Sequence, residues 1–211
     1  MPDNTIRIDC FFNYVRPAVV IASMAAPSPT LNGHHAMTTP TGNTPTPERV
    51  ADRLAIHDIL HLHCRGLDRL DRETIQCAYW PDAEVDYGGF RGSAQVFAEL
   101  VVGSLGEQYA LTRHTLANML VAFDGDTARV ESAVTAAHLA PDASEEMLFY
   151  GRYLDWLQRR DGRWKILHRQ VVMDWMKRVP VQPEGDSETL AAMARGAHGE
   201  RDPLYSFLNL E

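Results

Sequence analysis

The chain has 211 residues, 45% of them hydrophobic and 23% charged, with a formal net charge of -8. That length suits one well-buried domain with extensions, and an acidic chain without a run of Lys and Arg among aromatics has no surface for collecting phosphates, which leaves a small molecule as the expected ligand and excludes nucleic acid. Cys10, Cys64 and Cys77 make neither a framework spacing nor a CxxC pair, which suits a reducing, cytoplasmic setting, and no stretch reaches the roughly 18–20 apolar residues of a membrane span.

The first 46 residues differ from the rest. VRPAVVIASMAAPSP has the outline of a signal peptide, but Asp3, Asp9 and the shortness of the apolar run argue against export. From Pro27 to Pro47 the chain is Ser, Thr, Pro, Gly and Asn with hardly an apolar anchor, so residues 1–46 are expected to form a disordered extension, with Met37 an alternative start of translation. The ordered domain is expected over 47–180 and a C-terminal extension over 181–211.

Thr46-Pro47-Glu48 makes a good helix start. Val50, Leu54, Ile56, Ile59, Leu60, Leu62 and Leu67 recur near a 3.6-residue period, predicting a helix over 47–66 whose end Gly66 loosens. A second helix is predicted over Arg72 to Ala78, stopped by Trp80-Pro81-Asp82. AEVDYGGFRG reads as a strand and tight turn, and SAQVFAELVVGSL as a third helix ending in Gly and Ser. From Leu111 the period changes to two, and turns at Asp124-Gly125-Asp126 and Asp161-Gly162 join four long strands as two hairpins. The expected order is α-α-β-α-β-β-β-β, an α+β domain whose sheet curls over its helices.

The segments CRGLDRLD, YWPDAEVDYGGFRGS, RHTLANMLV, FDGDTARVES and GRYLDWLQRRDGRWKILHRQVVMDW, spread over residues 47–180, resemble the SnoaL-like branch of the nuclear transport factor 2 (NTF2-like) superfamily. The resemblance implies a cone in which a curved, mixed, mostly antiparallel sheet and three helices enclose a pocket, and self-association as a homodimer or homotrimer. The superfamily contains enzymes, binding proteins and transport adaptors, so fold alone does not assign an activity.

An acid that orients a histidine is the smallest side-chain device able to move a proton near neutral pH without a cofactor. The cofactorless dehydratases, dehydrohalogenases and lyases of this branch place an Asp near the end of the first helix and a His on a central strand. These correspond to Asp68 and His114, which implies that His114 abstracts a proton and Asp68 orients it. The residues by themselves leave Asp68 free to face water or to pair with Arg65, Arg69 or Arg72, and His114 free to be structural. Tyr87 sits where related sequences carry a Tyr or His that donates to a leaving oxygen. Arg169 falls where dehydrohalogenase-like members carry a pocket Arg, and His63 where they carry a pocket Lys, a departure that puts halide elimination in doubt. Strand parity adds His138. A substrate pocket is expected among Tyr79, Trp80, Phe90, Leu116, Met119, Met147, Phe149, Met173 and Trp175, while the inward parity of Tyr150 and Arg152 stays open.

His57 and His61 stand at i and i+4, as in helical zinc motifs, but no third ligand is evident, so neither a metal nor a cofactor is expected. Cys64 is expected to be a buried thiol. GxGxxG, GxxxxGK[ST] and GxSxG are all missing from the sequence. The reading is a cofactor-independent lyase, a dehydratase or an aldehyde-releasing retro-aldol enzyme, acting on a small apolar hydroxylated aromatic or polycyclic compound. The alternatives are a non-catalytic ligand-binding or assembly domain, or a ketosteroid-isomerase-like isomerase. The C-terminal extension is expected to cap the pocket or cross to a neighbour, docking through Tyr205, Phe207 and Leu208.

Overall fold

The computed structural model describes residues 45–182 and 188–209, so the tail expected over 1–46 lies almost wholly outside the described residues. Helix α1 (Pro47–Arg69) starts where Thr46 accepts the Arg49 N–H and Pro47 fills the first turn, a position that owes no helical N–H bond. Ile56, Leu60, His63, Cys64 and Leu67 form one buried stripe along it. Val50 and Leu54, which the periodicity assigns to that stripe, instead face outward at 43% and 61% exposure. The helix also passes Gly66 and closes at Leu70, which takes a left-handed φ of 54° and returns its N–H to Gly66 and Leu67. Gly66 serves close approach: a Cβ there would lie 2.6 Å from Ile75 Cγ1 and 2.9 Å from Ile75 N, on α2 (Arg72–Cys77).

Trp80-Pro81-Asp82 stops α2 but belongs to strand β1 (Tyr79–Asp86), where the register shift between Tyr79 and Glu84 takes up the proline. The short β2 (Arg91–Ser93) folds back on β1, an element the expected order leaves out. Helix α3 (Ala94–Gln108) runs past Gly103 and Ser104. Strands β3 (Leu111–Asp124), β4 (Thr127–Leu139), β5 (Glu145–Arg160) and β6 (Arg163–Pro180) follow as two hairpins, with positive φ at Gly125, Asp161 and Gly162 as tight turns between twisted strands require. A helical turn α4 (Glu188–Ala191), a 3-10 turn (Gly199–Arg201) and α5 (Pro203–Leu208) complete the order.

The strands make one curved six-stranded sheet in the order β2-β1-β6-β5-β4-β3, antiparallel except where β1 runs parallel to β6. This is the expected α+β fold, with one difference in position: β3, which carries His114, is an edge strand and not a central one. α1 and α3 lie against the inner face, where Ile56, Leu60, Tyr79, Phe97, Leu157 and Ile166 form the core. Buried Asp52 ties the start of α1 to the β5–β6 hairpin, accepting from Arg49 at 3.0 Å, Arg159 at 3.1 Å and Trp164 Nε1 at 2.8 Å. No helix among the described residues is long and apolar enough to cross a membrane.

Register decides which side chains line the interior. His114 on β3 stands opposite Ala136 on β4, which stands opposite Phe149 on β5, so these share the inner face. A shift on β6 pairs Tyr150 with Trp175 but Gly151 with Met173, leaving Asp174 extra. Simple alternation puts residues 173 and 175 on the same side; the extra residue sends Trp175 to the outer face, where it stacks on Tyr150 at 4.8 Å and is 57% exposed.

Candidate active site

Asp68, on the last turn of α1, and His114, on β3, are 46 residues apart in sequence and meet in the fold. The His114 Nδ1 lies 2.7 Å from Asp68 Oδ1, and the backbone N–H of His114 donates to both carboxylate oxygens at 3.0 and 3.1 Å. Both side chains are nearly buried, 7% exposed for His114 and 12% for Asp68. A carboxylate oxygen can only accept from Nδ1, so the Nδ1–H tautomer is held and Nε2 is left as the lone-pair nitrogen. This arrangement can take a proton from a bound molecule.

His138, opposite Thr112 in the β3–β4 register, presents its ring edgewise to His114 at 5.5 Å between centroids. Burial, and then the neighbouring His114, depress His138 to about 3, so it stays neutral at pH 7. His63 is fully buried and its pKa is pushed well below the usual imidazole range, by desolvation first and then by Arg169 and His114. Its Nε2 lies 3.3 Å from the Tyr87 hydroxyl, and its ring meets Tyr79 and Tyr153 edgewise at 5.4 and 6.1 Å. Burial pushes Tyr87 up to about 12 against the pull of Arg169, and Tyr79 and Tyr153 well above the usual phenol range, so all three keep their protons.

Arg169 is fully buried, as is Asp155, and the two form a bidentate pair at 2.7 and 2.8 Å, with the guanidinium 4.0 Å over the Tyr153 ring. Burial raises the Cys64 thiol to about 12, which fits a packing role and not a nucleophile. His57 and His61 stack at 3.9 Å on the exposed side of α1, away from His63, and among the described residues no group of three His, Cys, Asp or Glu is placed to hold a metal ion.

Of the residues singled out from sequence, His114, Asp68 and His138 come together on one side of the interior, and Tyr87, His63, Tyr79 and Arg169 on the other. Trp80 and Trp175 are corrected. Trp80 points opposite to Tyr79, its indole N–H bonded to the Gln158 carbonyl and its ring under Arg160 and Lys165; Trp175 is on the outer face. Met173 keeps inward parity but is 58% exposed at the open end of β6. Tyr150 and Arg152 are outward, Arg152 bridging Glu131 and Asp174. The C-terminal segment does dock beside Asp68: Asp202 pairs with Arg69 at 3.2 Å and the Tyr205 hydroxyl donates to Asp71 at 3.0 Å. Phe207 and Leu208, expected to dock as well, are 69% and 53% exposed. Sequence reasoning misses Asp155, Tyr153 and Ser132. A signal exists for the first: an acid on a strand face whose other buried residues, Met147, Phe149, Gly151, Tyr153 and Leu157, are uncharged needs a cation opposite, and Arg169 is its register partner.

Comparison with known proteins identifies the domain. A model of the SnoaL-like domain matches residues 48–170, more than half of the chain. No curated protein matches. Among solved structures, a candidate scytalone dehydratase of Novosphingobium aromaticivorans DSM 12444 is 24% identical over 66% of this chain and 97% of its own, with a TM-score of 0.57. A type 2 hexachlorocyclohexane dehydrochlorinase (LinA) is 23% identical over 66% and 95%, with a TM-score of 0.58. The type 3 LinA of Novosphingobium barchaimii LL02 is 21% identical over 66% and 97%, with a TM-score of 0.57. At such identities these likenesses speak for the fold alone; the domain match shows that the chain belongs to the SnoaL-like domain family, within the nuclear transport factor 2 superfamily.

Proposed function

We propose that this protein is a cofactor-independent lyase, a dehydratase or an aldehyde-releasing retro-aldol enzyme, acting on a small, largely apolar, hydroxylated aromatic or polycyclic molecule. The observation that carries the reading is the double grip of Asp68 on His114, through the ring and through the backbone. In a dehydration, His114 Nε2 takes a proton from carbon, the C–H electron pair becomes the new double bond, and the C–O bond breaks. Tyr87, which keeps its proton, donates to the departing oxygen so that water leaves. Asp68 holds the imidazolium in place without itself transferring the proton. Likeness to proteins named as dehydratase and dehydrochlorinase supports a lyase chemistry of this type.

The test is incubation of purified wild-type and His114→Ala protein, without added metal or cofactor, with hydroxylated aromatic and polycyclic compounds followed by mass spectrometry. A product lighter by water or formaldehyde with wild type alone supports the reading. Retention of compounds by both proteins with no change of mass overturns it in favour of a ligand carrier, and a product of unchanged mass with a shifted double bond favours an isomerase.

The proposal extends to a homo-oligomer in a cytoplasmic setting. The outer sheet face has no helix over it among the described residues and carries Trp156, 36% exposed, and the Tyr150–Trp175 stack. A Trp175→Glu variant is expected to lower the mass measured in solution by light scattering; an unchanged mass removes this face as the interface.

A further inference from the structure

The interior holds more buried polar atoms than its own hydrogen bonds use. Ser132 Oγ and His63 Nδ1 are buried with no hydrogen-bond partner among the described residues, and Arg169 Nη1 and Tyr79 Oη have none of good geometry, though both side chains engage the Tyr87 hydroxyl; all four side chains are no more than 1% exposed. They lie in one neighbourhood. Arg169 sits over the Tyr153 ring, Ser132 stands directly opposite Tyr153 in the β4–β5 register, and His63 packs edgewise against both Tyr153 and Tyr79. Burying such groups with few or no good partners is costly, and one occupant able to meet several of them removes part of that cost.

The charges narrow what the occupant is. Asp155 already takes two of the guanidinium's hydrogen bonds, so the buried pair sums to zero formal charge and offers one remaining edge of Arg169 as a donor. His63 and the tyrosines are held in their neutral forms. A buried anion would find donors here but no uncompensated positive charge to offset its desolvation.

We propose that the β1–β6 side of the interior is a neutral oxygen-binding subsite, in which two or three of Arg169 Nη1, Tyr79 Oη, Ser132 Oγ and His63 Nδ1 hold a phenol hydroxyl or ketone oxygen of the substrate. This deepens the lyase reading, in that it takes the same interior as the chamber where His114 works from the β3 edge. The substrate then carries two oxygen functions, one at the bond that breaks and one anchored across an apolar body. Arg169 here acts as an orienting donor and not as the receiver of a departing anion.

The test is calorimetric binding of naphthalene, naphthol and naphthoate to the full-length protein, which share a ring system and differ in one group. Wild type is expected to bind naphthol about tenfold more tightly than either of the others. Tyr79→Phe and Ser132→Ala should each weaken naphthol by roughly 2–10-fold and leave naphthalene unchanged. Asp155→Asn, if folded, should narrow the preference over naphthoate by exposing the guanidinium charge. The proposal is overturned if wild type binds naphthoate as tightly as naphthol, if no compound binds, or if both small variants leave naphthol untouched, in which case buried water is the occupant. Binding by His114→Ala keeps the two readings apart: a retained naphthol preference supports the subsite even if no turnover is ever found, and turnover without that preference removes the subsite alone.

Discussion

Two acid–base pairs are buried in the same interior, and they are built for opposite ends. Asp68–His114 joins a helix end to an edge strand, and its nitrogen partner is an imidazole, a group able to take up a proton and give it back. Asp155–Arg169 joins two central strands, both side chains fully buried, and its cation cannot lose its proton in water. Distance does not separate them, since both have a contact of 2.7 Å. The difference teaches that a short buried ion pair says nothing about function until one asks which partner can change its charge.

The sharpest way to break the comparison is to remove each base in turn. His114→Ala and Asp68→Asn are expected to cost about 10²–10⁴-fold in turnover by the mass-spectrometric assay while circular dichroism stays that of the folded protein. Asp155→Ala should act on the fold itself, losing about 3–5 kcal/mol in urea unfolding because a buried guanidinium is stranded, whereas the double replacement Asp155→Leu with Arg169→Met restores most of that stability. If Asp155→Ala unfolds no more easily than wild type, the pair is not structural.

Gly66→Ala tests the frame behind the dyad: its Cβ would meet Ile75 at 2.6 Å, and a loss of about 1–3 kcal/mol is expected, with the Asp68 end of α1 the part displaced. A pH series tests the histidines beside His114. His138 has a folded value of about 3 against an ordinary 6.5, so the unfolded chain takes up the proton first. The stability it contributes is full above about pH 6.5 and falls on acidification toward pH 3, by at most about 1.4 kcal/mol per pH unit. His63 acts in the same direction. Urea midpoints of His138→Gln should fall less steeply between about pH 7 and 4 than those of wild type. Tyr205→Phe should show the smallest effect, no more than about 0.5 kcal/mol, since its bond to Asp71 is partly open to solvent.

The helices and the four long strands are legible in the periodicities of the chain, because each pattern reports one buried face. The contact between Asp68 and His114 is legible through the family resemblance of its two segments, since no local rule brings residue 68 to residue 114. What escapes such reading are events of a single residue. The extra Asp174 on β6 reverses every later side chain and puts Trp175 outside, and alternation carries no mark of it. Gly66 reads as a weakness because its purpose lies on another helix. Asp155 goes unnoticed because its partner is fixed by strand register, which two distant segments settle together.

The backbone N–H of His114 points away from β4 and into the Asp68 carboxylate, on the outermost strand of the sheet. An unpaired donor on such a strand is a place where another chain can add itself. Asp68 therefore plugs the open border of the sheet with the same two oxygens that steer the imidazole. Asp68→Ala, which removes both acceptors where Asn keeps one, should raise self-association of the protein as well as lower turnover, and selection for a closed border and selection for a working base would then act on one side chain.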